Sequence, residues 1–150
     1  MKIALDTNIL VYAEGVNDAA RQAAALEAVH ALPRASTVIP LQVLGELFHV
    51  LVRKGRSPRE ARRALQEWHD TYSVIETSDA VMLSAADLAA DHQLSIWDAV
   101  ILSASSQAGC RLLLSEDMHA DFSWGGVTVV NPLAEPRPAL LEAALAADRD

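Results

Sequence analysis

The sequence predicts an α/β domain with a mainly parallel central sheet of four to five strands, flanked by helices on both faces. Short apolar segments alternate with helical segments along the chain, as crossover connections between parallel strands require. Two apolar runs, within 2–5 and 111–114, are nearly continuous, as in strands buried on both faces. The composition is 51% hydrophobic but only 5% aromatic, which predicts an aliphatic core. At 150 residues the chain fits one domain.

The elements predicted in the first half are strands at 2–6 and 37–39 and helices at about 17–30, 40–54 and 57–69. Asn17 or Asp18 caps the first of these helices. Pro40 suits the first position of the second helix, and Gly55 ends it. Ser57, with a glutamate three residues later, forms a capping box that opens a basic helix.

The elements predicted in the second half are strands at 74–75, 110–114 and 127–130 and helices at about 78–92 and 95–109. Ser78 or Asp79 caps the first helix, and Ser95 with Asp98 forms a capping box for the second. We assign 1–132 to the domain proper. Prolines then mark a linker, so 133–150 is predicted to be a linker, a short helix and a charged tail of the same domain.

Composition also excludes several classes of protein. A single cysteine, Cys110, excludes an internal disulfide and a zinc site made of thiolates, and it fits a reducing compartment. The N-terminus enters a strand directly, and no run approaches the ~20 apolar residues of a membrane span. We therefore expect a cytoplasmic protein without membrane contact.

Charge is distributed unevenly along the chain. The formal net charge is -8, which argues against a broadly basic nucleic-acid-binding domain. Half of the twelve Lys and Arg residues nevertheless fall between positions 53 and 63, opposed there only by Glu60, so this segment carries +5 and the rest of the chain -13. The members of this basic segment are Arg53, Lys54, Arg56, Arg59, Arg62 and Arg63.

Four acidic residues, Asp6, Glu46, Asp98 and Asp117, are predicted to meet at one edge of the sheet. Asp6 and Asp117 follow strands, and the functional sites of open parallel sheets lie beyond the carboxyl ends of the strands. Glu46 lies in a narrow polar stripe of an otherwise apolar helix. Carboxylates without thiols or a histidine pair favour Mg²⁺ or Mn²⁺ over zinc. We therefore predict a divalent-metal site.

Each of these acids also has a structural interpretation. Glu46 could lie on an ordinary solvent-exposed face. Capping of its helix could by itself explain Asp98. At that position the positive end of the macrodipole is expected to keep the carboxylate ionised. In the polar loop after the late strand, either Glu116 or Asp117 could point inward, and Asp121 could join them.

These residues, in this order and spacing, resemble the PIN-domain nucleases. The motifs are Asp6-Thr7-Asn8 at the end of the first strand, a helical Glu46, Ile96-Trp97-Asp98-Ala99 at a helix start and Ser115-Glu116-Asp117 in a loop. The likeness is stronger to the VapC-type ribonuclease toxins of bacterial toxin-antitoxin pairs. It covers about residues 1–132.

The resemblance implies a metal-dependent endoribonuclease acting as a toxin. It implies that Asp6, Glu46, Asp98 and Asp117 bind Mg²⁺ or Mn²⁺, as one ion or two. Thr7 and Asn8 would help to position the first acid, and Ser115, two residues before Asp117, favours Asp117 over Glu116 as the fourth. The implied partners are an RNA substrate of unspecified class, a cognate antitoxin and a second copy in a homodimer.

The basic segment could guide RNA toward the acids, dock an acidic stretch of a partner, or form a solvated helix face. Trp97 and Trp124 could stack on bases, although tryptophans in such positions usually pack in the core. The alternative function is a catalytically inactive PIN-like module that binds RNA or protein. The presence of all four acids argues against it.

Overall fold

Six strands form one sheet in the computed structural model, which describes residues 1–16 and 18–147. The strands are β1 (Lys2–Leu5), β2 (Thr37–Pro40), β3 (Ser73–Ile75), β4 (Cys110–Leu114), β5 (Ser123–Trp124) and β6 (Val127–Val130). The helices are α1 (Thr7–Ala13), α2 (Ala19–Ala31), α3 (Leu41–Arg53), α4 (Pro58–Thr71), α5 (Asp79–His92), α6 (Ile96–Gln107) and α7 (Ala139–Ala147). The predicted α/β class with a mainly parallel sheet is confirmed, but the sheet has six strands where four to five were predicted.

The strand order is β3-β2-β1-β4-β6-β5, and every neighbouring pair is parallel except the antiparallel pair β5 and β6. From β1 the chain builds outward through β2 and β3, and then crosses back to add β4 on the other side of β1. The order therefore reverses between β1 and β4. In open α/β sheets a ligand crevice lies at this reversal, beyond the carboxyl ends of the strands.

Two elements differ from the sequence prediction. Helix α1 was not predicted, and β1 ends at Leu5, so that Asp6 is the N-cap of α1 and not a strand residue. Residues 8–13 are all buried, so α1 shows no polar face and hence no helical periodicity in the sequence. Strand β5 is only two residues long and joins β6 through Gly125 and Gly126, both at positive φ, as a tight hairpin turn requires.

The predicted helix caps are present. Asp18 accepts from the backbone N–H of Arg21 at 2.7 Å, and Ser57 accepts from that of Glu60 at 3.2 Å. The other candidate cap, Asn17, lies outside the described residues, as do 148–150 of the predicted charged tail. Helix α7 buries Leu141 in the main core.

The core is aliphatic, as predicted. Its largest fully buried side chains are isoleucines and leucines from β1, α1, β2, α3, α5, α6 and β4. Helix α3 packs against α4, α5 against α6, and α1 against both α2 and α3. Across the described residues, no helix has the length and apolar character needed to cross a membrane.

Candidate metal centre

An open cleft of about 700 Å³ lies beyond the carboxyl ends of β1 and β4. Its wall includes all four predicted acids, Asp6, Glu46, Asp98 and Asp117. They come from the N-cap of α1, the middle of α3, the first turn of α6 and the loop after β4. The fold thus brings residues as far apart as 6 and 117 to one surface.

Asp6 is buried, with 4% of its surface exposed, and is held by three donors. Its Oδ1 accepts from the backbone N–H of Thr7 at 2.7 Å. Its Oδ2 accepts from the Ser115 hydroxyl at 2.7 Å and from the Asn8 amide at 3.4 Å. The carboxylate is therefore fixed in orientation by both the α1 N-terminus and the loop that follows β4.

Ser115 and Asn8 connect the ends of β1 and β4. The Asn8 Nδ2 donates to the Ser115 Oγ at 3.3 Å, and the Asn8 Oδ1 accepts from the backbone N–H of Glu116 at 3.1 Å. The Ser115 Oγ also accepts from the backbone N–H of Met118 at 3.2 Å. Through this network Asn8 and Ser115, two of the predicted supporting residues, position Asp6 from its buried side.

Glu46 projects from the polar stripe of α3, and that stripe faces the cleft. Its other members, Gln42, Gly45, His49 and Arg53, also line the cleft. The Glu46 carboxylate is half-buried and accepts from the Thr7 hydroxyl and, at 3.5 Å, from the Gln42 amide. Thr7 thus links the first predicted acid to the second.

Asp98 lies in the first turn of α6, where its backbone N–H donates to the Ser95 Oγ at 3.1 Å. The predicted cap is present, and the half-buried side chain also lines the cleft. Burial, followed by the nearby Glu46 carboxylate, raises the pKa of Asp98 above its ordinary value, so these surroundings oppose the ionisation that the macrodipole favours.

In the loop after β4, the two candidates for the fourth acid have different surroundings. Asp117 is exposed and lines the cleft. The Glu116 carboxylate instead accepts from the Tyr12 hydroxyl at 2.8 Å and from Arg21 Nε at 3.4 Å. Asp121 is exposed outside the cleft wall, with φ 67°, and its backbone N–H bonds to a carbonyl of β6.

Two cleft residues were missed at the sequence level. Tyr12 lines the cleft, and its hydroxyl donates a hydrogen bond to Glu116. The Gln42 amide donates a hydrogen bond to Glu46. Tyr12 belongs to the unpredicted helix α1, so no sequence signal placed it. Gln42 was visible as part of the α3 stripe but was given no role.

Burial makes ionisation of Asp6 costly. It raises the pKa of Asp6 from 3.8 to about 7, and the carboxylates of Asp98 and Glu46 push in the same direction. The hydrogen bonds from Ser115 and from the Thr7 N–H oppose this increase. A cation in the cleft would favour the ionised form of both Asp6 and Asp98.

The donor chemistry of the cleft fits a hard divalent cation, because its acidic wall offers carboxylate oxygens and no thiolate. Within 1–16 and 18–147, no three or more His, Cys, Asp or Glu side chains are gathered closely enough to hold an ion as they stand. Carboxylates without a cation between them repel one another. A hard cation held by one or two of these carboxylates and by waters would reduce this repulsion.

The fold divides the basic segment into three parts. Arg53 and Lys54 are exposed on the cleft wall. Arg56 is held by α1, where its guanidinium pairs with the Glu14 carboxylate at 2.8 Å and also donates to the Glu14 carbonyl. The remaining members, Arg59, Arg62 and Arg63, are exposed on α4 outside the cleft wall.

Ser115→Ala is expected to destabilise the protein by about 1–3 kcal/mol. The substitution removes a donor to Asp6 and leaves the Met118 N–H without its acceptor in a buried position. Ser103→Ala is a matched control, because Ser103 is also fully buried but its hydroxyl has no hydrogen-bond partner among the described residues. That control should be neutral or stabilising. Urea unfolding at pH 7 measures both, and equal effects would contradict the positioning role of Ser115.

The structural class of the protein follows from two features. The sheet is open and mainly parallel, and four acidic side chains line the cleft where its strand order reverses. The model of the PIN domain family matches residues 3–122, and the chain belongs to that family. The resemblance drawn from the acidic motifs is thereby confirmed. No curated protein matches the sequence.

Several solved structures share the fold. A toxin-antitoxin complex from Klebsiella pneumoniae has 22% sequence identity and a TM-score of 0.66, covering 87% of this chain and 98% of that one. Mycobacterium tuberculosis VapC20, a Sarcin-Ricin loop cleaving toxin, has 20% identity and a TM-score of 0.67, covering 77% of this chain and 90% of that one. VapBC2 from Rickettsia felis, bound to a DNA fragment from its promoter, has 20% identity and a TM-score of 0.65, with 87% and 98% covered.

Proposed function

We propose that this protein is a metal-dependent endoribonuclease and the toxin of a toxin-antitoxin pair. The observation that carries the proposal is the convergence of Asp6, Glu46, Asp98 and Asp117 on one cleft of a PIN domain. The similar folds of VapC20 and of the toxin-antitoxin complexes support the toxin assignment. They also support a cognate antitoxin as a partner. We propose a homodimer as well, which only the resemblance to the toxin family implies.

Asp6, Glu46, Asp98 and Asp117 would hold Mg²⁺ or Mn²⁺. Such an ion neutralises charge on the phosphate oxygens and makes the attacking water more acidic. Ser115, Asn8 and the Thr7 N–H keep the Asp6 carboxylate turned toward the cleft. Thr7 orients Glu46 through its hydroxyl.

In the hydrolysis we propose, a water oxygen forms a bond to phosphorus and the bond from phosphorus to one bridging oxygen breaks. Glu46 or another cleft acid accepts the proton of the water, and the departing oxygen is protonated. The products are two RNA fragments. The experiment that tests the function is hydrolysis of a mixed RNA pool by the purified protein, with Mg²⁺ or Mn²⁺ and with a chelator.

A catalytically inactive module that binds RNA or protein is the alternative function. It would keep the fold and the cleft but show no metal-dependent hydrolysis. The buried Asp6 favours the enzyme, because a carboxyl group with a strongly raised pKa, beside other acids in a cleft, is typical of a functional site.

We also propose that Arg53 and Lys54 bind the RNA backbone at the cleft. Both are exposed on its wall, and within 1–16 and 18–147 neither takes part in a salt bridge. Phosphates bound there would lie beside the acids. Arg59, Arg62 and Arg63, on α4, bind either more distant RNA or an acidic stretch of a partner.

Replacing Arg53 and Lys54 with alanine is expected to weaken RNA binding and to reduce the slope of log K against log salt. Each phosphate of a single strand that the protein neutralises adds about 0.7 to that slope, so removing both cations should reduce it by about 1.4. For comparison, Arg62→Ala with Arg63→Ala removes the same charge away from the cleft and measures any contribution of more distant RNA contacts. A slope that is unchanged in the Arg53 and Lys54 variant would contradict binding of the RNA backbone by the cleft pair.

A further inference from the structure

Trp97 differs from the other two tryptophans in its surroundings. Trp68 and Trp124 are partly buried and pack against the main core. Trp97 is 53% exposed, in the first turn of α6, while its neighbour Ile96 packs against the core. Core packing, the usual fate of a tryptophan, therefore does not explain Trp97.

The exposed indole lies on the wall of the acidic cleft, directly before Asp98. A single exposed apolar side chain is ordinary on an open surface. Inside a cleft that also holds charged groups, an aromatic side chain is a typical ligand contact. Trp97 is therefore a largely exposed aromatic side chain next to the predicted catalytic acids.

Gly45 leaves open space on another wall of the same cleft. It lies within α3, where glycine weakens a helix. A Cβ added at Gly45 would meet no atom within 4 Å, so packing inside this chain does not require glycine. The missing side chain instead widens the cleft one residue before Glu46.

We propose that Trp97 and the gap at Gly45 form a binding subsite for one unpaired nucleobase of single-stranded RNA, beside the phosphate that is cleaved. The proposal rests on the ribonuclease function proposed above. Aromatic side chains bind bases of any sequence by stacking, because every base has a π-face. Arg53 and Lys54 on the same cleft would hold the adjoining phosphates.

Stacking can be observed directly by tryptophan fluorescence, because the chain has only three tryptophans. Asp6→Asn serves as a non-cleaving background that removes one negative charge from the cleft. Adding a single-stranded RNA oligonucleotide should quench its fluorescence. Adding Trp97→Phe to this background should remove the quenching, whereas Trp124→Phe, outside the cleft, should retain it. Quenching that persists without Trp97 would overturn the proposal.

In the cleaving protein, Trp97→Ala should raise KM for RNA by roughly 10- to 100-fold with a smaller effect on kcat, because stacking holds substrate and transition state alike. Trp97→Phe should restore most of the affinity. Gly45→Ala should raise the melting temperature by about 2–4 °C but weaken RNA binding. A structural role of glycine would move both quantities in the same direction.

The possible failures are distinguishable. If the wild type cleaves RNA and Trp97→Ala has an unchanged KM, the subsite is wrong and the ribonuclease function stands. If Trp97→Ala instead changes the oligomeric state at unchanged RNA affinity, Trp97 belongs to a protein interface and the subsite is wrong. If the wild type neither binds nor cleaves RNA, the proposed function fails, and the subsite with it.

Discussion

Asp6→Asn is expected to abolish RNA cleavage, lowering kcat by at least about 10³-fold, while the protein stays folded. Losses of this size follow when a group that stabilises the transition state is removed. The amide keeps the size of the side chain, and its oxygen can still accept from the Thr7 N–H, but its NH2 group replaces the oxygen that accepts from Ser115 and Asn8. It also withdraws the negative charge that a cation needs. Asp98→Asn should have an effect of the same order.

The control for these variants is Asp91→Asn, an exposed aspartate on α5 outside the cleft wall. It removes the same charge and should cleave like the wild type. Cleavage rates of a fixed RNA substrate, with circular dichroism to show folding, measure the difference. Full activity in Asp6→Asn would contradict the metal site.

The same assay distinguishes the two candidates for the fourth acid. Asp117→Asn should lower cleavage, because Asp117 lines the cleft. Glu116→Gln should act mainly on stability, since the Glu116 carboxylate pairs with Tyr12 and Arg21. The reverse result would move the assignment to Glu116.

Without metal, the protein is expected to lose stability as the pH rises, because of Asp6. Its pKa is about 7 in the folded protein and 3.8 ordinarily, so the folded state holds the proton more tightly than the unfolded one. This contribution is complete below about pH 4 and is lost as the pH rises through 7. At about 1.4 kcal/mol per pH unit it amounts to roughly 4 kcal/mol, of which roughly 2–3 falls between pH 5 and pH 8.

Urea unfolding at pH 5 and pH 8 in a chelator measures this effect. Asp6→Asn cannot ionise, so its free energy of unfolding should change less with pH than that of the wild type. Asp91→Asn should follow the wild type. Parallel pH profiles for the wild type and Asp6→Asn would show that Asp6 does not carry the pH dependence.

Both predictions concern the carboxyl group of Asp6. Asn at position 6 should remove this pH dependence of the metal-free protein's stability and also the activity of the enzyme. A buried carboxylate with a raised pKa is therefore a site that costs stability when empty and gains it from a bound cation. This trade-off is typical of functional residues.

Much of the fold followed from local patterns. The apolar runs of β1 and β4 and the capping residues Ser57 and Ser95 each act within a few residues, so the sequence shows them directly. Helix α1 was missed because it is buried on all sides, and β5 because two residues form no pattern. Helix α1 depends on contacts with α3, which is distant in sequence, whereas β5 pairs locally with β6 but is too short to be recognised.

The same distinction applies to the site. The positions of Asp6 and Asp98 follow from an element boundary and a helix start, which are local features. The orientation of Glu116 depends on Tyr12 and Arg21, about 100 residues earlier, and sequence reasoning could not place it. The raised pKa of Asp98 likewise depends first on burial and then on Glu46, and both arise from tertiary packing.

The most direct test of the metal-dependent cleft is a titration of the metal-free wild type with Mn²⁺, with bound Mn²⁺ followed by electron paramagnetic resonance and RNA cleavage followed in the same samples. We expect no cleavage in the chelator, and a rate that rises together with bound Mn²⁺. Asp98→Asn should show weaker binding and little cleavage. Undiminished cleavage in the chelator, or full activity of Asp98→Asn, would contradict metal-dependent hydrolysis at this cleft.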